Sequence, residues 1–336
     1  MKTRTWQLGA DKTRESDGRP RILLVISSGF TQEQFDETRD STPEAELIAA
    51  TDETVYDKSG GIHALIGCPR RAFTQELLSR TRPTLRWVHG SGAGVEEFLI
   101  PEFVETDVIF TNGKVIQGPE VADHAMALLL ALARNLHLVF RREVDRPMPR
   151  PIELRGKRAV VVGLGGVGML VAERAAAFGM NVVGVTAGNL PPMLSMLDRV
   201  YPPERLNEPL PDSDVVIVCA AHTPWTARIF GRKQFSLMKP SAYFINVSRG
   251  TLVDTDALVD ALAEGRLAGV GLDVTDPEPL PDDHPLREFD NVIISPHIAG
   301  LSDHNRQRSF ELVRTNIDRF VKGQPLLNIV DKNLGY

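Results

Sequence analysis

The stretch from Lys157 to Gly168, KRAVVVGLGGVG, constrains this chain more than any other. Ala159 to Val162 is a short β-branched run, the composition of a buried strand, and it breaks abruptly into glycine at Gly163. A helical pattern, MLVAERAAAFG, starts directly behind. Strand, glycine turn and helix in that order read as a dinucleotide cradle. Gly163 permits the tight turn, Gly165 lets backbone approach a pyrophosphate, and Gly168 lets helix pack close to strand. The helix start at Gly166, Val167 and Gly168 then offers backbone N–H groups to phosphate.

At 336 residues the chain exceeds the usual single-domain range, so two domains are predicted. A first series of apolar runs begins at Arg21: RILLVISS, ELIAATDETVY, IHALIG, LRWVHGSG and DVIFTN. A second begins at the glycine motif and continues through NVVGVT, VVIVCAA, AYFINVS, GVGLDVT and NVIISPH. Such alternation with helix-like stretches predicts an α/β fold of two units. Between the series lies PEVADHAMALLLALARNLHL, apolar around nearly its whole circumference, which predicts a helix buried on several sides. It suits a core helix of the second domain and a boundary between domains or subunits equally. A last amphipathic helix is predicted from Asp303 to Val321, stopping at Lys322 and Gly323.

Formal net charge is −6, which argues against a nucleic-acid partner, since phosphate-backbone binding needs clustered Lys and Arg. The longest apolar run, Ala125 to Ala133, falls short of the roughly 18 residues that cross a bilayer, so no membrane span is predicted. The amino-terminal residues lack the apolar core of a secretory signal and read as a loosely ordered arm. Cys68 and Cys219 sit in apolar runs, as buried thiols of a cytoplasmic protein do. His89, His124 and His304 have no metal-ligand spacing, so no metal is predicted.

Seven motifs occur in order: GAGV at Gly92 to Val95, VADHAMALLLALAR at Val121 to Arg134, GLGGVG, HTPWT at His222 to Thr226, NVSRG at Asn246 to Gly250, LDVTDPEPLP at Leu272 to Pro281, and SPHIAG at Ser295 to Gly300. With these motifs the chain resembles the D-isomer-specific 2-hydroxyacid dehydrogenase family over nearly its full length. The resemblance implies two doubly wound parallel-sheet domains. A Rossmann-type NAD(P)-binding domain, residues 121–303, would be inserted into a flavodoxin-like substrate domain made of residues 1–120 and 304–336. It also implies a homodimer joined largely through the nucleotide domains, which tilts the long apolar helix toward an interface.

Reducing a small 2-oxo acid requires a hydride donor, a proton donor at the carbonyl oxygen and a cation for the carboxylate. His297 suits the proton transfer, because imidazole titrates near neutral pH. Glu278 would accept a hydrogen bond from the other ring nitrogen, fixing the tautomer and stabilising the cationic form; its alternative is a solvated loop carboxylate beside Asp276, Asp282 and Asp283. Arg249 supplies a planar fork that lysine cannot reproduce. The resemblance further implies that backbone amides of Gly92, Ala93 and Gly94 hold the substrate carboxylate, and that Asp273 reaches the nicotinamide carboxamide. His222 with Pro224 would lie near the adenine ribose, and Ala220, Val247 and Gly300 would complete the cofactor wall that Arg249 and His297 also touch. Asp273 can instead cap a turn, and His222 can be a lone loop histidine.

An NAD-preferring unit carries an acid about 20 positions past the glycine motif. Here no Asp or Glu appears between Asn181 and Leu197. Thr186 and Asn189 can hydrogen-bond either ribose, and Arg199 can reach a phosphate, so the cofactor is NAD or NADP with a slight lean to NADP. Formate dehydrogenases of the same fold carry glutamine where this chain has Glu278, which argues against that chemistry, whereas phosphite-oxidising relatives keep a similar set. The reading of a different class is a nucleotide-sensing, corepressor-like binding protein on the same scaffold.

Overall fold

The structure is a computed structural model that describes residues 18–26, 30–90, 92–141, 148–188 and 195–336. The amino-terminal arm expected above lies outside the described residues. The chain divides into two compact units, Met1–Ile116 with Ser302–Tyr336, and Gln117–Leu301.

The first unit carries five strands, β1 (Arg21–Val25), β2 (Glu46–Ala50), β3 (Ala64–Ile66), β4 (Trp87–Gly90) and β5 (Ile109–Asn112). They pair in parallel in the order β2-β1-β3-β4-β5, which is the flavodoxin-like doubly wound order. Alternate residues of each strand supply two cores, because successive side chains leave opposite faces of the sheet. Leu23, Val25, Leu65, Val88 and Phe110 line one face. Ile22, Leu24, Ile66 and Trp87 line the other, against Phe310, Val313, Ile317 and Phe320. Those four lie on the helix Asn305–Val321, which starts two residues inside the predicted span and is followed by Lys322 as cap and Gly323 at φ +65°.

The second unit has seven strands: β6 (Arg158–Val162), β7 (Asn181–Val185), β8 (Arg199–Tyr201), β9 (Val215–Val218), β10 (Tyr243–Asn246), β11 (Gly269–Leu272) and β12 (Val292–Ile294). Their order is β12-β11-β10-β9-β6-β7-β8, and every pairing is parallel. The order reverses between β6 and β9, and the glycine turn leaves β6 at that switch point. The α/β fold of two units expected from the alternating runs is what forms, and it is doubly wound, with a Rossmann-type unit inserted into a flavodoxin-like one, as the resemblance implies.

The long apolar helix, Gly118–Ala133, packs within this second unit on the glycine-motif helix Gly166–Ala177 and on β10 and β11. Glycines in β11 make room for it: a Cβ on Gly271 would come within 3.0 Å of Leu128 Cβ, and one on Gly269 within 3.1 Å of Leu132. Leu129 and Leu132 are fully buried, each contributing about 1.5–3 kcal/mol of transfer free energy. Ten of its 16 residues are buried in this way, whereas Ala127 is exposed and Leu130 and Ala131 are half-buried.

Candidate active site

The glycine motif folds as a cradle. Gly163 follows β6 at φ +91°, and a Cβ there would lie 2.5 Å from Ala220 Cα and N. A Cβ on Gly168 would lie 1.8 Å from Gly163 O, so the helix can approach the strand only through glycine. Gly165 differs, since a Cβ there would meet no atom within 4 Å. The first helical bond runs from Met169 N to Gly165 O, 3.0 Å, which leaves the amides of Gly166, Val167 and Gly168 ahead of the intrahelical ladder. Bare backbone over open space, free helix-start amides and no acid in the first turn fit a diphosphate.

At the end of β7, Thr186 Oγ1 accepts from Gly188 N at 3.2 Å, and Thr186 N bonds Tyr201 O at 3.0 Å. Asn189 lies outside the described residues. The Arg199 guanidinium stands 4.7 Å over the Tyr201 ring, which also carries Arg205 at 5.3 Å. At the end of β9, Thr223 and Thr226 exchange bonds (Thr223 N to Thr226 Oγ1 2.7 Å, Thr226 N to Thr223 Oγ1 3.2 Å), a tight turn that carries His222 and Pro224. Val247 is sequestered in the core with its amide on Val218 O.

Arg249 is set by two neighbours that the sequence reading did not single out. Buried Asn246 donates from Nδ2 to Arg249 O at 2.9 Å and accepts from Ser248 N at 3.1 Å, which folds the turn after β10. Gly250 has no room for a side chain, since a Cβ would fall 1.9 Å from Thr275 O, and it brings this turn against the loop that bears Glu278. Arg249 Nη1 also donates to Ser248 O at 2.8 Å.

His297 and Glu278 meet: Nδ1 lies 2.5 Å from Oε1, and both side chains keep solvent access. The backbone of His297 is left-handed, φ +53°, an uncommon state for a residue with a Cβ and one that persists where surroundings enforce it. Asp273 does the enforcing. Its carbonyl accepts His297 N at 3.0 Å, its Oδ1 accepts Ile298 N at 3.0 Å and Ser295 Oγ at 2.7 Å, and its Oδ2 accepts Ala299 N at 2.9 Å. Burial opposes the charge on Asp273, yet bonds from His124, Ser295 and the Ala299 and Ile298 amides outweigh it and hold the carboxyl below the usual carboxylate range. These partners match the turn-capping alternative for Asp273. Gly300 closes the same loop, its carbonyl accepting from Gln117 Nε2 at 3.2 Å.

Gly92, Ala93 and Gly94 belong to the first unit, after β4. Gly113 N bonds Gly92 O at 2.9 Å and Asn112 Nδ2 bonds Ala93 O at 2.6 Å, which ties the loop to the end of β5. Among the described residues no His, Cys, Asp and Glu group is arranged to hold a metal, and no helix is long and apolar enough to cross a membrane.

Comparisons with known proteins bear on the family and the fold. A family profile described as "D-isomer specific 2-hydroxyacid dehydrogenase, NAD binding domain" matches residues 126–299. The glyoxylate reductase of Pyrococcus furiosus is 32% identical over 84% of this chain and 86% of its own length. The D-3-phosphoglycerate dehydrogenase of Methanocaldococcus jannaschii is 32% identical over 84% of this chain, which spans only 54% of that relative. A D-isomer-specific 2-hydroxyacid dehydrogenase from Xanthobacter autotrophicus Py2, solved in complex with NADPH and MES, superposes with a TM-score of 0.79 at 27% identity, covering 94% of this chain and 99% of that one.

Proposed function

The chain belongs to the D-isomer-specific 2-hydroxyacid dehydrogenase family, and we propose that, as an NAD(P)-dependent enzyme of that family, it interconverts a small 2-oxo acid and its D-2-hydroxy acid with His297 as acid and base. The observation that carries this reading is the 2.5 Å pair of His297 Nδ1 and Glu278 Oε1. With Nδ1–H directed to the carboxylate, the transferable proton belongs to Nε2. In reduction Nε2 gives that proton to the carbonyl oxygen as it becomes a hydroxyl, and in oxidation it takes the proton back. Glu278 fixes the tautomer and offsets the charge of the imidazolium. Arg249 holds the carboxylate through its planar fork, and we assign Gly92, Ala93 and Gly94 to the same carboxylate on the resemblance.

When bound, the nicotinamide supplies the hydride or accepts it back. Gly165, Gly166, Val167 and Gly168 would hold the diphosphate; Thr186, Ala220, His222 and Pro224 would border the ribose; Val247 and Gly300 would back the wall. Asp273 contributes by holding the loop that bears His297. With no Asp or Glu between Asn181 and Leu197, we propose NADP(H) as the preferred dinucleotide; the Xanthobacter relative was solved with NADPH. Assembly as a homodimer is the companion proposal from the resemblance, and a cytoplasmic setting is the one from the two cysteines in apolar runs.

The test is His297→Ala assayed with glyoxylate and hydroxypyruvate against NADH and NADPH. Turnover falls roughly 10²–10⁴-fold while dinucleotide affinity stays within a few fold. Retained turnover would overturn the assignment, and a clear NADH preference would overturn the cofactor lean. Wild-type turnover at ordinary enzyme rates separates this reading from a nucleotide-sensing binding protein.

A further inference from the structure

We propose that His124, on the long helix Gly118–Ala133, is a positioning residue for His297, acting through Ser295 and Asp273. The inference rests on the reading of His297 as the proton-transferring group. The segment 295–299 that carries His297 belongs to neither a strand nor a helix, and Asp273 holds its left-handed turn through one carbonyl and two carboxylate oxygens. Three of the partners of that carboxylate, Ser295, Ile298 and Ala299, are members of the loop itself. His124 is the partner that comes from outside the loop, with Nε2 2.8 Å from Ser295 Oγ and 3.3 Å from Asp273 Oδ1.

The direction of these bonds follows from counting hydrogens. Ser295 Oγ has one, and it goes to Asp273 Oδ1 at 2.7 Å. The contact at 2.8 Å is therefore made by a hydrogen on His124 Nε2, which donates to Ser295 and lies beside Asp273. Asp273 is 2% exposed, so water does not take the place of a lost donor at little cost. Without His124 the carboxylate is tied by its side chain, among the described residues, only to the loop it has to hold. Its two oxygens then rotate with that loop, and the imidazole that Glu278 has to meet at 2.5 Å loses its fixed placement. A displacement on the order of 1 Å at a reacting group lowers a rate about 10²-fold.

Four variants of the full chain test this: His124→Ala, His124→Gln, Ser295→Ala and His297→Ala. Two measurements apply to each. The first is the low-field proton resonance of the His297–Glu278 bond in the protein without substrate, identified by its loss in His297→Ala. The second is kcat and KM for reduction of a 2-oxo acid. In His124→Ala the resonance broadens or vanishes and kcat falls at least about 10-fold, while KM for the dinucleotide stays within about 2-fold. Ser295→Ala changes in the same direction. Gln restores both readouts toward wild type, because its side-chain amide can donate where His124 Nε2 does. An unchanged resonance and kcat in His124→Ala overturns the proposal. So does a loss of kcat that Gln does not restore. The two readings fail separately: if His297→Ala keeps turnover, the acid and base assignment falls, whereas an inactive His297→Ala beside a wild-type-like His124→Ala removes only this inference.

Discussion

Arg249 illustrates how much of a functional residue is set by its silent neighbours. Its backbone is extended, φ −138° and ψ 141°, because Asn246 closes the turn behind it and Gly250 admits Thr275 in front. Arg249→Lys keeps the charge and removes the fork, so kcat/KM for the 2-oxo acid falls roughly 10- to 100-fold, the equivalent of a charge-assisted bond worth about 1.5–3 kcal/mol. Steady-state kinetics with the acid varied would show most of this in KM, and wild-type behaviour of the lysine variant would remove Arg249 from the carboxylate. Arg249, Glu278 and His297 are legible in the sequence as candidates because the proposed chemistry calls for those residue types and each stands within a motif of the resemblance. Asn246 and His124 are not, because their roles lie in where buried donors point, and His124 meets Ser295 across 171 positions. The left-handed backbone of His297 is likewise invisible in a residue that is not glycine.

At the scale of elements, the glycine cradle makes two opposite forecasts from one motif. Gly168→Ala forces a Cβ into the space of Gly163 O, a backbone atom that cannot turn aside. Helix and strand then separate, which costs about 3 kcal/mol or more and lowers the melting temperature. Gly165→Ala meets open space and an extended backbone, φ −78° and ψ −161°, so stability stays within about 0.5 kcal/mol of wild type. Its dinucleotide Kd nonetheless rises, because the new methyl stands where backbone has to approach the diphosphate. Thermal melts paired with fluorescence titration by NADPH separate the two, and undiminished binding by Gly165→Ala would move the diphosphate elsewhere. The motif is readable because strand, turn and helix are adjacent in sequence. Strand β8 escaped notice for the converse reason: it has three residues, two of them exposed, at a sheet edge, and no apolar run announces it.

Across the whole molecule, acid should act first on the flavodoxin-like unit, through a histidine outside the reacting set. His89 on β4 is 1% exposed, and Nδ1 lies 2.8 Å from Thr111 Oγ1, which also accepts Trp87 Nε1–H at 2.8 Å. With Trp87 donating to it, the Thr111 hydroxyl has its own hydrogen for Nδ1, which the neutral ring accepts and a protonated ring would refuse. Burial pushes the His89 pKa down to about 4 from 6.5. Since the folded value lies below the unfolded one, the unfolded chain takes up a proton between pH 6.5 and 4 that the folded chain rejects. Stability therefore falls as pH drops through that window, by about 3 kcal/mol at most, and this group adds no pH dependence above it. Asp273, whose carboxyl is held low, loses its contribution only as pH falls through its own depressed value. Of the two tryptophans among the described residues, Trp87 is fully buried in the first unit and Trp225 is 72% exposed, so with Trp6 replaced by Phe in both proteins a fluorescence change on urea unfolding reports mainly the surroundings of His89. Midpoints measured at pH 7.5, 6 and 5 should drop for the wild type and flatten in His89→Gln, which keeps a polar side chain and cannot titrate there. Equal slopes in the two proteins would place the acid sensitivity of the unit in another group.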